Sequence, residues 1–319
     1  MIELACIADG GYVRHAAAML HSVLSSSPGR RFAIHVLHDA EIDAADRERL
    51  EQTIGRFDAT LQLHRMDFDD DAGLPAGYFP RSVWFRIFLP HLLPDADRVL
   101  YLDADTIVVD NLQQLWDTPL GTHLLAAVTN PLYPFQPRYP AERLGIAAAL
   151  DYFNSGVLLM NLEQMRLEDT STALHDYART HPESWYPDQD ALNVVARDRW
   201  LHLDPRWNVQ STLYELGADE LPFPESLVDA ARRQPAVIHY IGPFKPWRYI
   251  CRHHLQSLYL DHAAATPWGR PKLEGRTLKN AVLRRLPLKL IDRLGALERD
   301  ISQRWPRAGE VLAEHPLIS

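Results

Sequence analysis

The chain has 319 residues, enough for one large domain or two modest ones with a sizeable core. Hydrophobic residues make up 46% and charged residues 24%, as in ordinary globular proteins, and no apolar run approaches the roughly 18 residues of a membrane-spanning helix. The formal net charge of −9 argues against a nucleic-acid-binding protein, because phosphate binding needs a basic surface.

Strand-like and helix-like segments alternate along the first half of the chain. Apolar runs and alternation predict strands over residues 2–8, 32–38, 60–66, 100–110, 123–129, 152–162 and 236–242. Helical spacing predicts helices over 12–27, over 43–57 with Asp43 as the N-cap, and over 82–93 with an interruption at Pro90. This order of elements is typical of an α/β fold with a parallel sheet.

The cysteines and the start of the chain bear on its compartment. Cys6 and Cys251 match no metal or redox spacing, so neither a disulfide framework nor a cysteine-based metal site is expected. No basic segment followed by an apolar stretch opens the chain, so no signal peptide is expected. We therefore expect a cytoplasmic protein.

The charge is divided unequally along the chain. Residues 270–293 contain eight Lys or Arg and two acids, a net charge of +6, which leaves −15 for the rest of a chain whose total is −9. The composition changes near Pro267. We therefore expect two parts with different partners, a main domain over residues 1–265 and a basic, amphipathic helical tail over 266–319.

A proline-rich segment and several absent motifs narrow the function. Prolines at 131, 134, 137 and 140 are too many for regular structure, and predict either a loop over an active-site cleft or a plain surface connection. The sequence has no Walker loop, no G-x-G-x-x-G, no H-E-x-x-H and no G-x-S-x-G. P-loop kinases, dinucleotide-binding enzymes, zincins and α/β hydrolases thus lose their usual sequence support.

The stretch "LYLDADTIVVD" (100–110) places two carboxylates in an apolar run. Residues two apart on a strand point to the same face, so Asp103 and Asp105 should converge at the carboxyl end of the strand, where α/β sheets bind ligands. Oxygen ligands of this kind suit Mg²⁺ or Mn²⁺. The alternative is an exposed turn in which one aspartate caps the next segment.

A second stretch, "VIHYIGPFKPW" (237–247), carries a histidine late in a strand and a lysine six residues later. His239 would complete a carboxylate–carboxylate–histidine set that accepts Mn²⁺, and Lys245 would meet a phosphate. The alternatives are a hydrogen-bonded core histidine and a solvated loop lysine.

Taken together, "LYLDADTIVVD", "YFNSGVLLMNL", "DQDALN" and "HYIGPFKPW" resemble, in the same order, the motifs of the retaining glycosyltransferases of family 8, over about residues 2–250. That family includes bacterial lipopolysaccharide galactosyltransferases and glucosyltransferases. The resemblance implies a GT-A-type, Rossmann-like mixed sheet flanked by helices. It also implies transfer of galactose or glucose from a UDP-sugar, with Mn²⁺ or Mg²⁺ as cofactor, to a saccharide of lipopolysaccharide or a related glycan.

The resemblance assigns a role to each matching residue. The metal and the diphosphate would be held by Asp103, Asp105, His239, Gly242 and Lys245, and the ribose would contact Ala104. The uracil would be bound by Ala8, Asp9 and Tyr12. The donor sugar would contact Arg86, Asn154, Asp188 and Gln189.

Two of these assignments have structural alternatives, and a third position departs from the family pattern. Arg86 reads equally as an exposed helix arginine, and Asp188 as the N-cap of a helix. Asn130 stands where relatives often carry an aspartate that meets the acceptor, and an amide there does not ionise.

The catalytic set implied by the resemblance is Arg86, Asp188, Gln189 and Asp190. Gln189 is a poor nucleophile, which favours attack by the acceptor on the same face of the sugar with a UDP phosphate oxygen accepting the proton. Asp190 keeps a double displacement through a glycosyl-enzyme open.

The sequence leaves two other function classes open, a hydrolase and a membrane-binding protein, and it also predicts a membrane interaction. A metal-dependent UDP-sugar hydrolase needs the same donor pocket, and a non-catalytic membrane-binding protein needs only the tail. Leucines and cations over residues 278–305 predict an interfacial helix that binds an anionic membrane on its cytoplasmic face, near a lipid-linked acceptor. The alternative is a helix packed on the acidic body.

Overall fold

The structure is a computed structural model. It describes residues 1–9, 11–39, 42–66, 74–75, 80–131, 143–146, 149–184, 186–242 and 244–286, together with positions 290 and 293. The proline-rich segment is among the sequence predictions that lie outside these residues, except for Pro131, and so is nearly all of the tail beyond residue 286.

The main sheet has seven strands in the order β3-β2-β1-β4-β7-β6-β8. These strands are β1 (Ile2–Ile7), β2 (Phe32–His38), β3 (Ala59–Arg65), β4 (Arg98–Leu102), β6 (Leu125–Thr129), β7 (Phe153–Asn161) and β8 (Trp200–His202). Neighbouring strands are parallel except that β7 runs antiparallel to both β4 and β6. The mixed sheet implied by the family resemblance is therefore confirmed, whereas the element pattern alone indicated only parallel pairing.

Helices cover both faces of this sheet. The α-helices are α1 (Val13–Ser26), α2 (Ala44–Ile54), α3 (Leu89–Leu92), α4 (Gln113–Trp116), α5 (Leu162–Leu167), α6 (Thr170–Thr180), α7 (Pro187–Val195), α8 (Thr212–Glu215), α9 (Glu225–Arg233), α10 (Gln256–Ala264) and α11 (Leu278–Leu283). Short 3₁₀ helices span Arg81–Phe88, Ala149–Asp151, Pro205–Trp207 and Ala218–Glu220. Alternate residues of one strand enter different cores: Leu100 packs with α1 and α2, and Tyr101 packs with α6 and α7. Burial on both faces explains why the strands read as continuous apolar runs.

The predicted elements of the first half agree with the structure within a few residues. Asp43 caps α2, since its carboxylate accepts a hydrogen bond from the Asp46 backbone N–H at 2.7 Å. The predicted helix over 82–93 is a 3₁₀ helix followed by α3, and Pro90 lies in the first turn of α3. A proline in a first turn costs no helical hydrogen bond, so Pro90 begins a short helix rather than interrupting a long one.

The stretch 100–110 is two strands and not the single strand that its apolar run predicted. β4 ends at Leu102, and β5 (Thr106–Val108) belongs to a second, three-stranded sheet in the order β5-β10-β9, with β9 at Val209–Gln210 and β10 at Val237–His239. A turn joins β4 to β5, closed by the Thr106 N–H and hydroxyl, which both donate to the Asp103 carbonyl. Asp103 and Asp105 thus converge through a turn and not through strand alternation.

The C-terminal part of the described chain packs on the main domain. Tyr259 and Leu260 of α10 join a core cluster with Ala18 of α1 and Trp247. Within α11, Leu283 is buried, whereas Leu278 is 84% exposed. The described residues contain no helix that is both long and apolar enough to cross a membrane.

Candidate active site

Two carboxylates and one imidazole meet where the two sheets adjoin. Asp103, Asp105 and His239 each offer one ligand atom, and these atoms lie within 4.8 Å of one another. The antiparallel register of β10 on β5 aligns His239 with Thr106, which sets the imidazole beside the β4–β5 turn. His239 Nε2 is 3.2 Å from Asp105 Oδ1 and 3.8 Å from Asp103 Oδ2. The structure therefore brings together all three residues that the sequence predicted as metal ligands.

Neighbouring donors occupy the other oxygen of each carboxylate. Asp103 Oδ1 accepts hydrogen bonds from the Tyr101 hydroxyl at 2.8 Å and from Arg86 Nη2 at 3.0 Å. Asp105 Oδ2 accepts from the Lys245 ammonium. One oxygen of each aspartate, Oδ2 of Asp103 and Oδ1 of Asp105, is thereby left towards His239.

Gly156 makes this approach sterically feasible. A Cβ atom at Gly156 would lie 2.2 Å from His239 Cε1 and 2.8 Å from Asp103 Oδ2, well inside van der Waals contact. The donor set itself, two carboxylate oxygens and one imidazole nitrogen, is one that Mn²⁺ accepts and Mg²⁺ tolerates. The residues present therefore fit a hard divalent cation.

Arg86 is buried between two carboxylates. It is 4% exposed, its Nη1 donates to the Ser155 carbonyl at 2.7 Å, and its Nε lies 3.4 Å from Asp188 Oδ2. The guanidinium also lies over the Tyr101 ring, 4.2 Å from the centroid. The alternative of an exposed helix arginine is thus wrong, and Arg86 connects the carboxylate of Asp103 to that of Asp188.

The residues predicted to face the donor sugar lie on β7 and α7. Asp188 is buried and accepts a hydrogen bond from the Ser155 hydroxyl at 3.2 Å. It is not an N-cap, because α7 begins at Pro187, one residue before it. Asn154 Nδ2 donates to Gln189 Oε1 at 3.0 Å.

Asp190 is enclosed on all sides. Its side chain is 0% exposed, Oδ1 accepts from the Tyr152 hydroxyl at 2.7 Å, and Oδ2 accepts from Arg143 Nη2 at 2.6 Å and from the Ser184 hydroxyl. Both oxygens of this carboxylate are therefore engaged within the protein.

The predicted base-binding residues follow β1. Ala8 is fully buried, and its backbone N–H pairs with the Leu37 carbonyl. Asp9 Oδ2 accepts from the Ser82 hydroxyl at 2.9 Å, which orients the carboxylate. Tyr12 is 38% exposed, so an aromatic face is accessible next to Asp9.

The predicted diphosphate-contacting loop joins β10 to α10. Gly242 has φ of +72°, a conformation that residues with a Cβ rarely adopt, and this explains the glycine before Lys245. Ala104 is buried in the turn between the two aspartates. Asn130, the position of the departure from the family pattern, is also buried, and its Oδ1 accepts from Gln210 Nε2 at 3.3 Å.

The charged side chains of the site carry a net negative charge, which favours the binding of a cation. Burial alone would raise the pKa of Asp105, but nearby positive charge, that of the Lys245 ammonium first, holds that pKa well below its usual range. Burial is the main cause that raises the pKa of Asp188, against the opposing effect of Arg86. When ionised, Asp103, Asp105 and Asp188 outnumber Arg86 and Lys245 by one negative charge, which a bound divalent ion offsets.

Several residues of the site were missed by the sequence reasoning. Gly156 and Ser155 stand inside the quoted motif "YFNSG", and a glycine in a buried strand is a signal of close approach. Tyr101 precedes Asp103 by two residues, near the end of β4, and its hydroxyl reaches that carboxylate. Asn208, whose Oδ1 lies 3.0 Å from His239 Nδ1, carried no signal, since it comes near the other residues only through tertiary structure.

Comparisons with known proteins agree with this geometry. A family model described as Glycosyl transferase family 8 matches residues 3–251. The lipopolysaccharide glucosyltransferase WaaO of Escherichia coli K12 is 26% identical over 275 residues, 84% of this chain and 79% of that protein. General stress protein A of Bacillus subtilis strain 168 is 25% identical over 275 residues, 84% of this chain and 95% of that protein. Among solved structures, the galactosyltransferase LgtC in complex with donor and acceptor sugar analogs superposes with a TM-score of 0.73 at 28% identity, covering 83% of this chain and 96% of that one.

Proposed function

The chain belongs to glycosyl transferase family 8, and on that premise we propose that it transfers a hexose, galactose or glucose, from a UDP-sugar to a hydroxyl group of a saccharide acceptor. The transfer retains the anomeric configuration and depends on a divalent cation, Mn²⁺ or Mg²⁺. The fold is of the GT-A type, and the chain is a glycosyltransferase.

The convergence of Asp103, Asp105 and His239 carries this proposal. When bound there, a divalent ion would supply positive charge to offset the charge that develops on a departing diphosphate. Lys245 lies at the same place, since its ammonium contacts Asp105, and it would add a second positive charge towards the diphosphate.

The protein side chains around the donor sugar favour a single displacement. Gln189 is a neutral amide, and Asp190 is fully buried with both oxygens engaged by Tyr152, Arg143 and Ser184. A carboxylate in that position would have to break these contacts to reach an anomeric carbon. Their number supports same-face attack by the acceptor, with a phosphate oxygen of UDP receiving its proton.

The base and sugar residues bind and orient the donor. Asp9, held by Ser82, accepts a hydrogen bond from the uracil N–H, and Tyr12 offers the stacking face. Asn154 and Asp188 receive the sugar hydroxyls. Arg86 positions Asp103 through its 3.0 Å hydrogen bond and neutralises Asp188 on its other edge.

The acceptor belongs to a cell-surface glycan. Several relatives are named for lipopolysaccharide, among them the glucosyltransferase WaaO and a lipopolysaccharide 1,3-galactosyltransferase of Salmonella typhimurium. A lipid-linked acceptor would place the enzyme at the cytoplasmic face of the inner membrane. The basic segment that begins at Arg270 and the exposed Leu278 and Val282 are suited to an anionic surface.

A donor screen tests the proposal. Metal-free protein is incubated with a panel of UDP-sugars with and without Mn²⁺, and release of UDP is measured with and without saccharide acceptors. UDP-galactose or UDP-glucose should be turned over only with metal, and Asp103→Asn, Asp105→Asn and His239→Ala should each lose most of this activity. Asp58→Asn, which changes an exposed carboxylate near Arg31, is the matched control and should keep it.

Two outcomes would contradict the proposal. Full turnover after treatment with EDTA would exclude the metal dependence. Sugar release that continues undiminished when acceptors are supplied would indicate a UDP-sugar hydrolase instead.

A further inference from the structure

A continuous chain of buried side chains joins the predicted metal ligand His239 to Asp190. The contacts run from His239 Nδ1 to Asn208 Oδ1 at 3.0 Å, from Asn208 Nδ2 to Asn154 Oδ1 at 2.8 Å, from Asn154 Nδ2 to Gln189 Oε1 at 3.0 Å, from Gln189 Nε2 to the Tyr152 hydroxyl at 2.8 Å, and from that hydroxyl to Asp190 Oδ1 at 2.7 Å. All six side chains are buried. Each link therefore lacks solvent as an alternative partner.

Backbone N–H groups determine which way two of the three amides, those of Asn154 and Gln189, face. The N–H of Gly156 donates to Asn154 Oδ1 at 3.1 Å, and the N–H of Ser155 donates to Gln189 Oε1 at 3.0 Å. A backbone N–H can only donate, so the atoms that receive these bonds must be the carbonyl oxygens. These two backbone N–H groups, which can donate but not accept, thus set the orientations of the Asn154 and Gln189 amides.

The directions of the remaining bonds follow from these two. Because Asn154 presents its oxygen, Asn208 must present Nδ2 to it and turn Oδ1 towards His239. An amide oxygen only accepts, so Nδ1 of His239 must carry the hydrogen. At the other end, Gln189 donates to the oxygen of Tyr152, and the phenol hydrogen goes to the Asp190 carboxylate, which closes the chain on a pure acceptor.

We propose that Asn208 and Tyr152 are positioning residues, which act through this one-way chain to hold the hydrogen of His239 on Nδ1, the Nε2 lone pair towards the two aspartates, and the Gln189 amide in one orientation. The proposal rests on the function proposed above. It gives Asp190 a role as the acceptor that ends the chain.

Asn208 is needed because the local charges favour the opposite tautomer. His239 Nε2 is 3.2 Å from Asp105 Oδ1, so a hydrogen on Nε2 would find a carboxylate there and would block the metal-facing lone pair. The Asn208 oxygen offers the competing acceptor on the other side of the ring. Partners of this kind orient metal-binding histidines, and their loss typically weakens metal binding about 10- to 100-fold.

Histidine ¹⁵N NMR of the metal-free full chain at mildly alkaline pH tests the His239 end. His239→Ala identifies the resonance. The wild type should show a protonated Nδ1, and Asn208→Leu should lose that hydrogen and bind Mn²⁺ about 10- to 100-fold more weakly. Asn208→Asp, whose carboxylate also accepts a hydrogen bond, should restore the protonated Nδ1. An unprotonated Nδ1 in the wild type would overturn the proposal, and so would an Nδ1 that stays protonated in Asn208→Leu.

Tyr152→Phe tests the Gln189 end. Its kcat with a UDP-hexose should fall about tenfold while the affinity for UDP changes little, because the orientation of Gln189 and not the nucleotide pocket is altered. Tyr240→Phe removes a hydroxyl that donates to the Leu255 carbonyl at 2.7 Å, and it is the matched control. Equal losses of kcat in the two variants would exclude a positioning role for Tyr152.

The outcomes separate this proposal from the proposed function. The NMR and Mn²⁺ measurements need no turnover, so they remain decisive if no UDP-hexose proves to be a substrate. Conversely, metal-dependent turnover by a protein in which His239 Nδ1 is unprotonated would support the proposed function and reject the proposed hydrogen-bond chain.

Discussion

Gly156 lies against His239 so closely that a single added carbon would occupy the place of the imidazole, 2.2 Å from Cε1. The contact joins the motif of β7 to the motif of β10 through two residues that are 83 positions apart in the sequence (239 − 156). The glycine is thus part of the candidate metal site although it offers no ligand.

We expect Gly156→Ala to displace His239 and to abolish tight Mn²⁺ binding. The added methyl must move the imidazole or the Asp103 carboxylate, both of which lie in a buried setting with little freedom. Mn²⁺ titration followed by electron paramagnetic resonance measures the effect. Gly11→Ala, where a Cβ would have nothing within 4 Å, should bind the metal normally, and normal binding by Gly156→Ala would contradict the packing argument.

Replacing Arg86 should destabilise the fold as well as the site. Arg86→Met leaves Asp103 and Asp188 without their shared cation, and breaking a buried ion pair typically costs about 3–5 kcal/mol. Urea unfolding measures the loss. Arg199→Met breaks the exposed pair with Glu168 and should cost much less, and similar losses in both variants would show that burial of Arg86 does not matter.

Gln189→Ala should reduce turnover more than it weakens UDP binding. The amide is expected to lie near the anomeric carbon, where charge appears only in the transition state. Steady-state kinetics and UDP titration are compared in the same variant. Proportional losses in the two quantities would instead mark Gln189 as a nucleotide contact.

Unfolding stability should fall in mild acid because of His15. Burial lowers the pKa of His15 to about 3, against about 6.5 for an unfolded histidine. The neutral form of His15 is thus favoured in the folded state. Its contribution to the free energy of unfolding is therefore complete above pH 6.5 and is lost as the pH falls towards 3. Between pH 6.5 and 5, protonation of this residue in the unfolded chain should lower the free energy of unfolding by about 2 kcal/mol.

The slope of stability with pH isolates this effect. His15→Gln loses the ring that stacks on Trp247 and is destabilised at every pH, but its stability should decline less between pH 6.5 and 5 than that of the wild type. His91→Gln, at an exposed position, should keep the wild-type slope. An unchanged slope in His15→Gln would assign the acid sensitivity to other groups.

Deletion of residues 270–319, which removes the basic segment with a net charge of +6 over residues 270–293, should abolish binding to anionic liposomes at moderate salt while UDP-sugar hydrolysis persists. Each cation near an anionic surface adds on the order of 1 kcal/mol of attraction. Leu283 is buried and Arg284 donates to the Tyr249 carbonyl at 3.1 Å, so thermal unfolding of the truncated protein is measured alongside, and loss of its fold would show that the segment belongs to the main domain. Co-sedimentation with vesicles measures binding, and undiminished binding would reject the membrane role of the tail.

The division between residues 1–265 and 266–319 stays a prediction. α10 belongs to the core cluster with Trp247, and the described tail residues up to 286 contact the same domain, as in the hydrogen bond from Arg252 to the Leu286 carbonyl. Leu278 and Val282 of α11, at the start of the predicted interfacial helix, are nevertheless exposed.

By itself, the sequence determined the alternation of strands and helices, the family and the identity of the metal-ligand candidates. These features are local: an apolar run such as 32–38 predicts β2 without reference to any partner, and the motifs around Asp103 and His239 are contiguous. Short-range patterns suffice for them because strand and helix periodicity is expressed over a few residues.

Tertiary structure alone decided how those residues work together. The turn that splits 100–110 into two strands depends on β5 pairing with β10, and the closeness of Gly156 to His239 depends on two sheets meeting. Asn208 receives its role only because β9 lies beside β10. Side-chain orientation in a buried network follows from which donors and acceptors the fold brings within 3 Å, and no spacing along the chain encodes those distances.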